Sequence, residues 1–355
     1  MFYIDCLQYG GAERVMANLC NLMADRMFDV VLINDIHSDE TKKEYSIDKR
    51  VNRFFLDDGN IKNGFFKKVK IIRQYIKKEK PDAVIAFLGP PNYRAILASI
   101  GLKTKIIVSV RNDPTKEYGV GIKKIIANIL FSFADGIVFQ TKEASLYFSS
   151  LIRKRSAIIF NPVAQKFYSV LWNGKNKEIA VVGRLQRQKN PLLALKAFNL
   201  IQCDFPDYKI VFYGDDELKK DIIDKSVEYG IEDKVIIFGK AVDIEKRLAD
   251  SKLFLLSSDF EGMPNSLLEA MAVGVPVVST NCPCGGPRFI IQNENQGELV
   301  ECNNAFSMAN AIKGLLSDPK KMEKMSIFER ERALDFKEDK VVDSWITFID
   351  KVVNK

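Results

Sequence analysis

Short runs of β-branched and other apolar residues alternate with helical patterns along nearly the whole chain. FYID at 2–5, AVIAFL at 83–88 and KIIVSV at 105–110 are such runs, and VVLIND, NRFFLD, GIVFQ and AIIFNPV are others in the first half. Their near-continuous apolar character is typical of strands that are buried on both faces of a parallel sheet. The pattern therefore predicts an α/β fold built from βαβ units, in which a helix near Tyr93 to Ser99 follows AVIAFL.

A polar stretch, AQKFYSVLWNGKNK at 164–177, interrupts the alternation before it restarts with EIAVVG at 178–183. At 355 residues the chain also exceeds one typical core. We therefore predict two Rossmann-like domains, an N-terminal one over residues 1–165 and a C-terminal one over residues 166–330. The helical tail begins at Ala305, and we expect its last part, residues 331–355, to pack back on the first domain. The first strand begins abruptly at Met1, which suggests a shortened or alternative start.

Composition places the chain among ordinary globular proteins, with 47% hydrophobic and 28% charged residues. No run of 18 or more apolar residues is present, and the N-terminus is too short and too polar for a signal peptide. We therefore expect a cytoplasmic protein without a transmembrane helix.

Histidine and cysteine usage excludes several kinds of chemistry. His37 is the only histidine, which excludes His-based metal sites and Ser-His-Asp hydrolysis. The six cysteines are scattered, and Cys282 and Cys284 form C-P-C rather than the spacing of a zinc site. We expect reduced, mostly buried thiols and no metal.

The net charge of +7 is concentrated in residues 62–81, KNGFFKKVKIIRQYIKKEKP, which contain eight basic residues and one acidic residue. One interpretation is a solvated helix face. Another is a basic amphipathic surface that meets anionic lipid head groups. Nucleic acid is not expected, because no recognised nucleic-acid motif accompanies the charge.

VVGRLQRQKNP, residues 181–191, joins a predicted strand to a predicted helix. Gly183 ends the strand, Arg184 follows it, and Lys189 precedes the helix opened by Pro191. Arg184 and Lys189 can clamp a diphosphate, one through a planar fork and the other as a point charge. Two exposed cations near a helix start remain the alternative.

FEGMPNSLLEAM, residues 260–271, carries two carboxylates around the start of an apolar helix. Glu261 ends the loop, Gly262 permits unusual backbone angles, and Pro264 fits the first helical turn, whose free N–H groups can hold a phosphate. Glu269 lies inside a helix that is apolar nearly all round, where a carboxylate can accept hydrogen bonds from a vicinal diol. The alternatives are a charge at a helix terminus and a surface glutamate.

YGGAERV, residues 9–15, joins the first strand to the first helix. Its two glycines permit close backbone approach at the helix N-terminus, although a Gly-Gly turn alone is weak evidence. G-x-G-x-x-G is absent, which argues against an NAD-type site.

Taken together, these motifs make the sequence resemble the retaining GT-B glycosyltransferases of family 4 across essentially its whole length. The resemblance rests on GGAER, on G-R-x-x-x-x-K at 183–189 and on E-x7-E at 261–269, with YGDDEL, EAMAVGVPVVST and CPCGGPR as further support. The most similar members are bacterial enzymes that build capsule, O-antigen or exopolysaccharide units. The resemblance implies two Rossmann-like, doubly wound domains that face each other across a cleft, the N-terminal one on the acceptor side and the C-terminal one binding the nucleotide sugar.

The resemblance also implies residue roles. Arg184 and Lys189 neutralise the donor diphosphate, where charge grows as the sugar–phosphate bond breaks. Glu261 and the backbone of residues 262–265 hold the sugar, Glu269 holds the ribose, and residues 239–242 receive the base. The full set expected to bind the donor is Gly10, Gly11, Gly183, Arg184, Lys189, Gly214, Gly239, Lys240, Val242, Glu261, Gly262, Met263, Pro264, Asn265, Ser266, Leu267 and Glu269.

Two positions depart from the family pattern. Many members have a histidine near the end of a first-domain strand, where this chain has SVRND with Arg111 and Asn112. Arg111 is therefore our candidate for contacting phosphate, donor or acceptor, beside Glu261, Arg184 and Lys189 as catalytic residues. Phe289 also stands where relatives often have an acidic residue.

The resemblance implies a retaining, metal-independent transfer of a hexose or N-acetylhexosamine from a nucleotide sugar, with UDP as the nucleotide. The expected acceptor is a glycan linked to undecaprenyl diphosphate, and the expected location is the inner face of the cytoplasmic membrane, reached through residues 62–81. No cofactor is expected, and no D-x-D metal motif is present. Two alternatives remain open: a binding subunit that has lost catalysis, and a GT-B nucleotide-sugar epimerase.

Overall fold

The computed structural model describes residues 1–8, 10–36, 44–57 and 64–355, which divide into two compact units. The first unit is Met1–Pro162 together with Glu338–Lys355, and the second is Val163–Lys337. His37 and Lys62, both named from the sequence, lie outside the described residues.

Helices and strands alternate through both units. The strands in the described residues are β1 (Phe2–Ile4), β2 (Val31–Asn34), β3 (Asn52–Phe55), β4 (Ala83–Phe87), β5 (Lys105–Ser109), β6 (Gly136–Phe139), β7 (Ser156–Ile158), β8 (Glu178–Val182), β9 (Lys209–Tyr213), β10 (Val235–Ile237), β11 (Leu253–Leu256), β12 (Val277–Thr280) and β13 (Glu298–Val300). The α-helices there are α1 (Gly11–Asp25), α2 (Phe65–Glu79), α3 (Gly89–Ser99), α4 (Pro114–Glu117), α5 (Ile122–Phe131), α6 (Lys142–Ser145), α7 (Ser150–Arg153), α8 (Gln165–Tyr168), α9 (Pro191–Ile201), α10 (Lys219–Glu228), α11 (Ile244–Asp250), α12 (Asn265–Val273), α13 (Gly286–Ile290), α14 (Ala305–Leu316), α15 (Pro319–Ala333) and α16 (Glu338–Val353).

Each unit is built around one parallel sheet. Among the described residues the first sheet has the strand order β3-β2-β1-β4-β5-β6-β7, and the second has the order β10-β9-β8-β11-β12-β13. In both sheets the order reverses beside the first strand of the unit, which is the doubly wound arrangement. The prediction of an α/β fold with two doubly wound domains is confirmed.

The last helix of the chain belongs to the first unit. Val341, Val342 and Trp345 of α16 lie in the same buried cluster as residues of β1, β2 and β4. The Trp345 ring lies 5.7 Å from the ring of Phe87, measured between centroids. A side chain at Gly136 would reach within about 3 Å of α16, so this glycine lets the helix lie close against the sheet.

The stretch that interrupts the alternation packs within the second unit. The indole N–H of Trp172 donates to the carbonyl of Ser251 at 2.9 Å, and the Asn173 backbone N–H donates to the carbonyl of Ala249 at 2.9 Å. This stretch therefore belongs to the second unit, which begins at Val163.

Helix α3 begins at Gly89, four residues before the start near Tyr93 that the sequence predicts. Pro90 and Pro91 occupy its first turn, where the missing N–H of proline removes no helical hydrogen bond. Among the described residues, no helix combines the length and the apolar character that crossing a bilayer requires.

Candidate active site

Two loops of the second unit meet at the carboxyl ends of β8 and β11, which are neighbours in the sheet. The backbone N–H of Asp259 donates to the carbonyl of Gln188 at 2.9 Å. The side-chain amide of Gln188 in turn donates to the carbonyl of Phe260 at 3.1 Å. These bonds run in both directions and hold the loop after β8 against the loop after β11.

Lys189 and Glu261 form an ion pair between these loops, through Nζ and Oε1. The hydroxyl of Ser258 donates to the same carboxylate oxygen at 2.7 Å, and that of Ser257 donates to the carbonyl of Lys189 at 2.9 Å. Glu261 is only 6% exposed, so its charge depends on these partners. Arg184 is exposed. The structure thus brings Lys189 and Glu261 together and leaves Arg184 at the surface.

A small pocket lies beside Lys189 at these strand ends. The pocket there has a volume of about 10 Å³ and is lined by the ends of β8 and β11 and by the loops after them. That volume is close to the minimum that holds one water molecule. The described side chains therefore leave room for about one water molecule in this pocket.

The loop with the sequence CPCGGPR lies directly beside Glu261. The backbone N–H of Glu261 donates to the carbonyl of Pro283 at 3.3 Å. Burial, and after it the negative charge of Glu261, raises the pKa of the Cys282 thiol above its usual range. A Cβ at Gly286 would lie 1.8 Å from the carbonyl oxygen of Gly262, so only glycine permits this approach. Gly286 therefore fixes the loop that carries Glu261, a role that the sequence did not suggest.

Gly183 and Gly214 make a second close backbone contact. A Cβ at Gly214 would lie 1.8 Å from the carbonyl oxygen of Gly183. The backbone N–H of Gly183 donates to the carbonyl of Tyr213 at 3.2 Å. The two predicted glycines thus meet where the loop that carries Arg184 and Lys189 begins.

Helix α12 begins directly after Pro264, which is its N-cap residue. Residues 267–273 are all buried, including Glu269 at 6% exposed, and Gly262, Met263 and Pro264 before the helix are buried as well. Asn265 and Ser266 are partly exposed. Glu269 is therefore a buried carboxylate, and the surface alternative considered from the sequence does not apply.

The loop predicted to receive the base, residues 239–242, follows the edge strand β10. Gly239 has a φ of 80°, a left-handed conformation that favours glycine, and Val242 is 90% exposed. The ring of Phe238 lies beneath the guanidinium of Arg247 at 4.7 Å. Lys240 is exposed. The loop offers an apolar and aromatic surface, and its role in base binding stays a prediction.

In the first unit, Gly10 is the N-cap of α1 and Gly11 is its first residue. A Cβ at Gly10 would lie 1.8 Å from a carboxylate oxygen of Glu13, so the Glu13 side chain lies over the start of the helix. A negative charge is stabilised there by the helix dipole. Sequence reasoning missed Glu13, although a glutamate three residues after an N-cap is a known capping signal.

Arg111 is buried within the first unit. Its guanidinium donates to Oδ1 of Asn161 and to the hydroxyl of Ser109, and it lies 4.4 Å from the centre of the Phe87 ring. Burial lowers the pKa of Arg111 to about 9, against the opposing effect of the Glu117 charge. Side chains of its own unit hold Arg111 in this structure. A contact with phosphate, donor or acceptor stays a prediction.

A buried ionic network at the ends of the first three strands was also missed. Asp5 follows β1, Asp35 follows β2 and Asp57 lies two residues after β3. Lys68 Nζ binds Oδ2 of Asp35 at 2.8 Å and Oδ2 of Asp57 at 3.0 Å. Arg94 pairs with Asp35 and with Asp5, the latter at 2.7 Å. Two cations thus hold three carboxylates together.

The pKa values of two carboxyl groups in this network are shifted in opposite directions. Burial, and after it the charge of Asp35, raises the pKa of Asp5 to about 6. Although burial opposes it, the hydrogen bond from Lys68 and the charge of Arg94 lower the pKa of Asp35. A signal was present in the sequence, because the runs FYID, VVLIND and NRFFLD all end in aspartate.

Two family models match the chain in succession. Glycosyltransferase Family 4 matches residues 9–164, and Glycosyl transferases group 1 matches residues 164–332. The two matches together span residues 9–332, and two doubly wound units in succession are the architecture of the GT-B glycosyltransferases. The chain belongs to the family 4 glycosyltransferases.

Named relatives cover nearly the whole chain. It is 26% identical over 362 residues to the GalNAc-α-(1→4)-GalNAc-α-(1→3)-diNAcBac-PP-undecaprenol α-1,4-N-acetyl-D-galactosaminyltransferase of Campylobacter jejuni, covering 99% of this chain and 98% of the relative. It is 28% identical over 381 residues to the UDP-Gal:α-D-GlcNAc-diphosphoundecaprenol α-1,3-galactosyltransferase of Escherichia coli, covering 97% and 95%. Among solved structures, Anabaena HepE in complex with UDP is similar with a TM-score of 0.80 over 99% of each chain, at 16% identity. That likeness shows the fold.

Proposed function

We propose that the protein transfers a hexose or an N-acetylhexosamine from a UDP-sugar to a glycan acceptor linked to undecaprenyl diphosphate. The observation that carries the proposal is the Lys189–Glu261 ion pair at the carboxyl ends of β8 and β11. The names of the Campylobacter and Escherichia relatives support the acceptor class, and the UDP-bound neighbour of the same fold supports the nucleotide. The proposed role is the assembly of a bacterial surface polysaccharide at the inner face of the cytoplasmic membrane.

Donor binding begins with an exchange of partners in the ion pair. The diphosphate takes the place of the Glu261 carboxylate beside Lys189, because a diphosphate carries more charge and more acceptor oxygens than one carboxylate. Glu261 is then free to accept hydrogen bonds from the hydroxyls of the sugar. Arg184, exposed beside the same loop, supplies the second cation.

The remaining proposed donor contacts are those that the sequence motifs imply. Glu269, buried in α12, accepts hydrogen bonds from the ribose, and residues 239–242 contact the base. Met263, Pro264 and Asn265 lie between the two glutamates and contribute to the choice of sugar. Gly10 and Gly11, at the start of α1, are included in the proposed donor-binding set on the strength of the GGAER motif alone.

Transfer breaks the bond between the anomeric carbon and the diphosphate oxygen, and negative charge grows on the diphosphate. Lys189 and Arg184 stabilise that charge, so no divalent ion is required. The acceptor hydroxyl attacks from the face that the diphosphate leaves, and a diphosphate oxygen takes its proton. The anomeric configuration is thereby retained.

A transfer assay with a panel of UDP-sugars and a short-chain polyprenyl-diphosphate GlcNAc acceptor tests the proposal. We expect one donor to give a product of increased mass, unaffected by EDTA, whose new linkage has the donor's anomeric configuration by proton NMR. Interconversion of UDP-sugars without acceptor would instead indicate an epimerase. Binding without any product across the panel would indicate a binding subunit, and either result overturns the proposal.

A further inference from the structure

Helix α5 presents an apolar stripe to solvent. The exposed members are Ile122 (77%), Ile125 (59%), Ile126 (48%) and Ile129 (56%). At about 100° per residue, these four positions fall within an arc of about 100° on the helix. Ala127 and Phe131 are buried and lie on the opposite side of the helix. The stripe is therefore an outer face, and it does not belong to the core of the unit.

The inner face fixes α5 firmly. The ring of Phe131 lies 4.7 Å from that of Phe148 and 5.2 Å from that of Tyr118, and both partner residues are buried. Because the helix is held by this aromatic cluster, it cannot turn its isoleucines inward without losing those contacts.

Neighbouring residues enlarge the exposed apolar surface. A groove of about 570 Å³ runs beside the helix and is lined by Ile125, Ile129, Leu146 and Tyr147 among others. We define the apolar patch as Val120, Ile122, Ile125, Ile126, Ile129, Phe133 and Leu146, all of them exposed. A contiguous exposed patch of this kind marks a surface that contacts a partner or a membrane.

Charge around the apolar patch indicates which partner it meets. Lys123 lies about 60° beyond Ile126 around the helix, Lys124 lies with its Nζ 5.0 Å from the centre of the Tyr147 ring, and the sequence of α5 contains no acidic residue. Lysines beside an apolar face are typical of helices that lie in the interface of an anionic bilayer. Two copies of this chain that met through the patch would bring their lysines together, which disfavours a homodimer.

We propose that the apolar patch inserts into the interface of a bilayer that contains anionic phospholipid, with Lys123 against the head groups and Lys124 adding positive charge to the same helix. The inference rests on the proposed function in one respect, because a polyprenyl-linked acceptor lies in a bilayer. It also moves the membrane surface from residues 62–81 to α5. In the described part of that segment Ile72 and Ile76 are buried, and the exposed large apolar residues are Phe65 and Phe66.

Co-sedimentation with vesicles of phosphatidylcholine, with and without phosphatidylglycerol, tests the inference. We expect the wild-type protein to bind the anionic vesicles at low salt and to bind less at high salt. The double variant Ile125→Asp/Ile129→Asp should lower the partition coefficient by at least about tenfold, because binding scales with the apolar area inserted. Circular dichroism and thermal melting establish that the variant is folded.

Two controls match these changes. Ile223 and Val227 on α10 are exposed and have the same spacing on a helix, so Ile223→Asp/Val227→Asp should bind as the wild type does. Lys123→Glu/Lys124→Glu should weaken binding more than Lys77→Glu/Lys78→Glu on α2. Equal loss in the α10 variant, a greater loss in the α2 variant, or normal binding by folded Ile125→Asp/Ile129→Asp overturns the inference. The inference is also overturned if the wild type is a dimer and Ile125→Asp/Ile129→Asp is a monomer.

Failure of the surface and failure of the function give different results. If the wild type binds vesicles but transfers no sugar to the short-chain acceptor in detergent, membrane binding is supported and the proposed function is contradicted. If the α5 variant transfers sugar and still binds vesicles normally, the proposed function is supported and membrane binding through the apolar patch is contradicted. We expect the α5 variant to keep transfer in detergent and to lose most transfer to vesicle-embedded acceptor.

Discussion

Lys189 and Glu261 are paired side chain to side chain, although 72 positions separate them in the sequence. Their loops meet because β8 and β11 are neighbours in the sheet, with two strands and several helices between them along the chain. The pair puts a cation and a carboxylate where the diphosphate and the sugar of a donor are proposed to bind. The proposed contact of Lys189 with the diphosphate therefore requires that Glu261 leave it. The proposed contact of Glu261 with the sugar likewise requires that the carboxylate leave Lys189.

Glu261→Gln separates donor binding from transfer. The amide keeps the size of the side chain but no longer neutralises Lys189, so we expect UDP to bind at least as tightly as to the wild type. Transfer should fall by about 100-fold or more, because the contact with the sugar is weakened. Calorimetry with UDP and the transfer assay measure the two effects, with exposed Glu331→Gln as the control. A tenfold loss of UDP affinity in Glu261→Gln would contradict the exchange of partners.

Gly286→Ala should destabilise the protein by roughly 3 kcal/mol, since its Cβ would lie 1.8 Å from the Gly262 carbonyl oxygen. The matched control is Gly314→Ala, in the last turn of α14 and with open space around it. There alanine should stabilise the protein by up to about 1 kcal/mol. Urea denaturation of both variants checks the opposite signs. A neutral Gly286→Ala would mean that the loop is not held as described.

Lys68→Met should cost roughly 3 kcal/mol of unfolding free energy, because it removes the cation that binds both Asp35 and Asp57 in a buried site. Lys70→Met, exposed on the same helix, should change stability by less than about 0.5 kcal/mol. Chemical denaturation at neutral pH compares the two. Similar values for both lysines would show that Lys68 behaves as a surface residue.

Glu117 gives the first unit a pH dependence with a defined sign. Burial raises the pKa of Glu117 from 4.5 to about 7, and its Oε2 has no hydrogen-bond partner among the described residues. Between these two values the unfolded carboxyl ionises while the folded one stays protonated, so stability falls as pH rises. Glu117→Gln removes that cost. It should match the wild type near pH 4.5 and exceed it by roughly 2 kcal/mol above pH 7.

Thermal melts across this pH window, with the exposed Glu323→Gln as the control, test the sign. The predicted sign of the pH dependence would be wrong if Glu117→Gln were more stable than the wild type at low pH and not at high pH.

Apolar runs predicted the strands well, because both faces of each parallel sheet are covered and few polar positions remain. The buried state of Glu269 also followed from the sequence, since its helical neighbours are apolar nearly all round. The ion pair did not follow, because nothing local to Lys189 or Glu261 specifies which strands become neighbours. The start of α3 was misplaced because Pro90 and Pro91 resemble a break, although a first helical turn tolerates proline.

Side-chain direction was the other quantity that the sequence did not provide. Lys68 looks like the seven other basic residues of its segment, and only the aspartates at the strand ends explain why it points inward. The isoleucines of α5 have the spacing of a core stripe, and the structure places that stripe in solvent. The opposite face of α5, which carries Phe131, is the one that packs into the unit, so the isoleucine stripe faces solvent.

Titration of UDP into Lys189→Ala by calorimetry tests most directly whether Lys189 holds the donor diphosphate. Lys196→Ala, a change of the same kind at an exposed position of α9, is the control. We predict that UDP binds Lys189→Ala at least about tenfold more weakly than the wild type and binds Lys196→Ala unchanged. If a folded Lys189→Ala protein bound UDP as tightly as the wild type, the proposed donor site at the ends of β8 and β11 would be wrong.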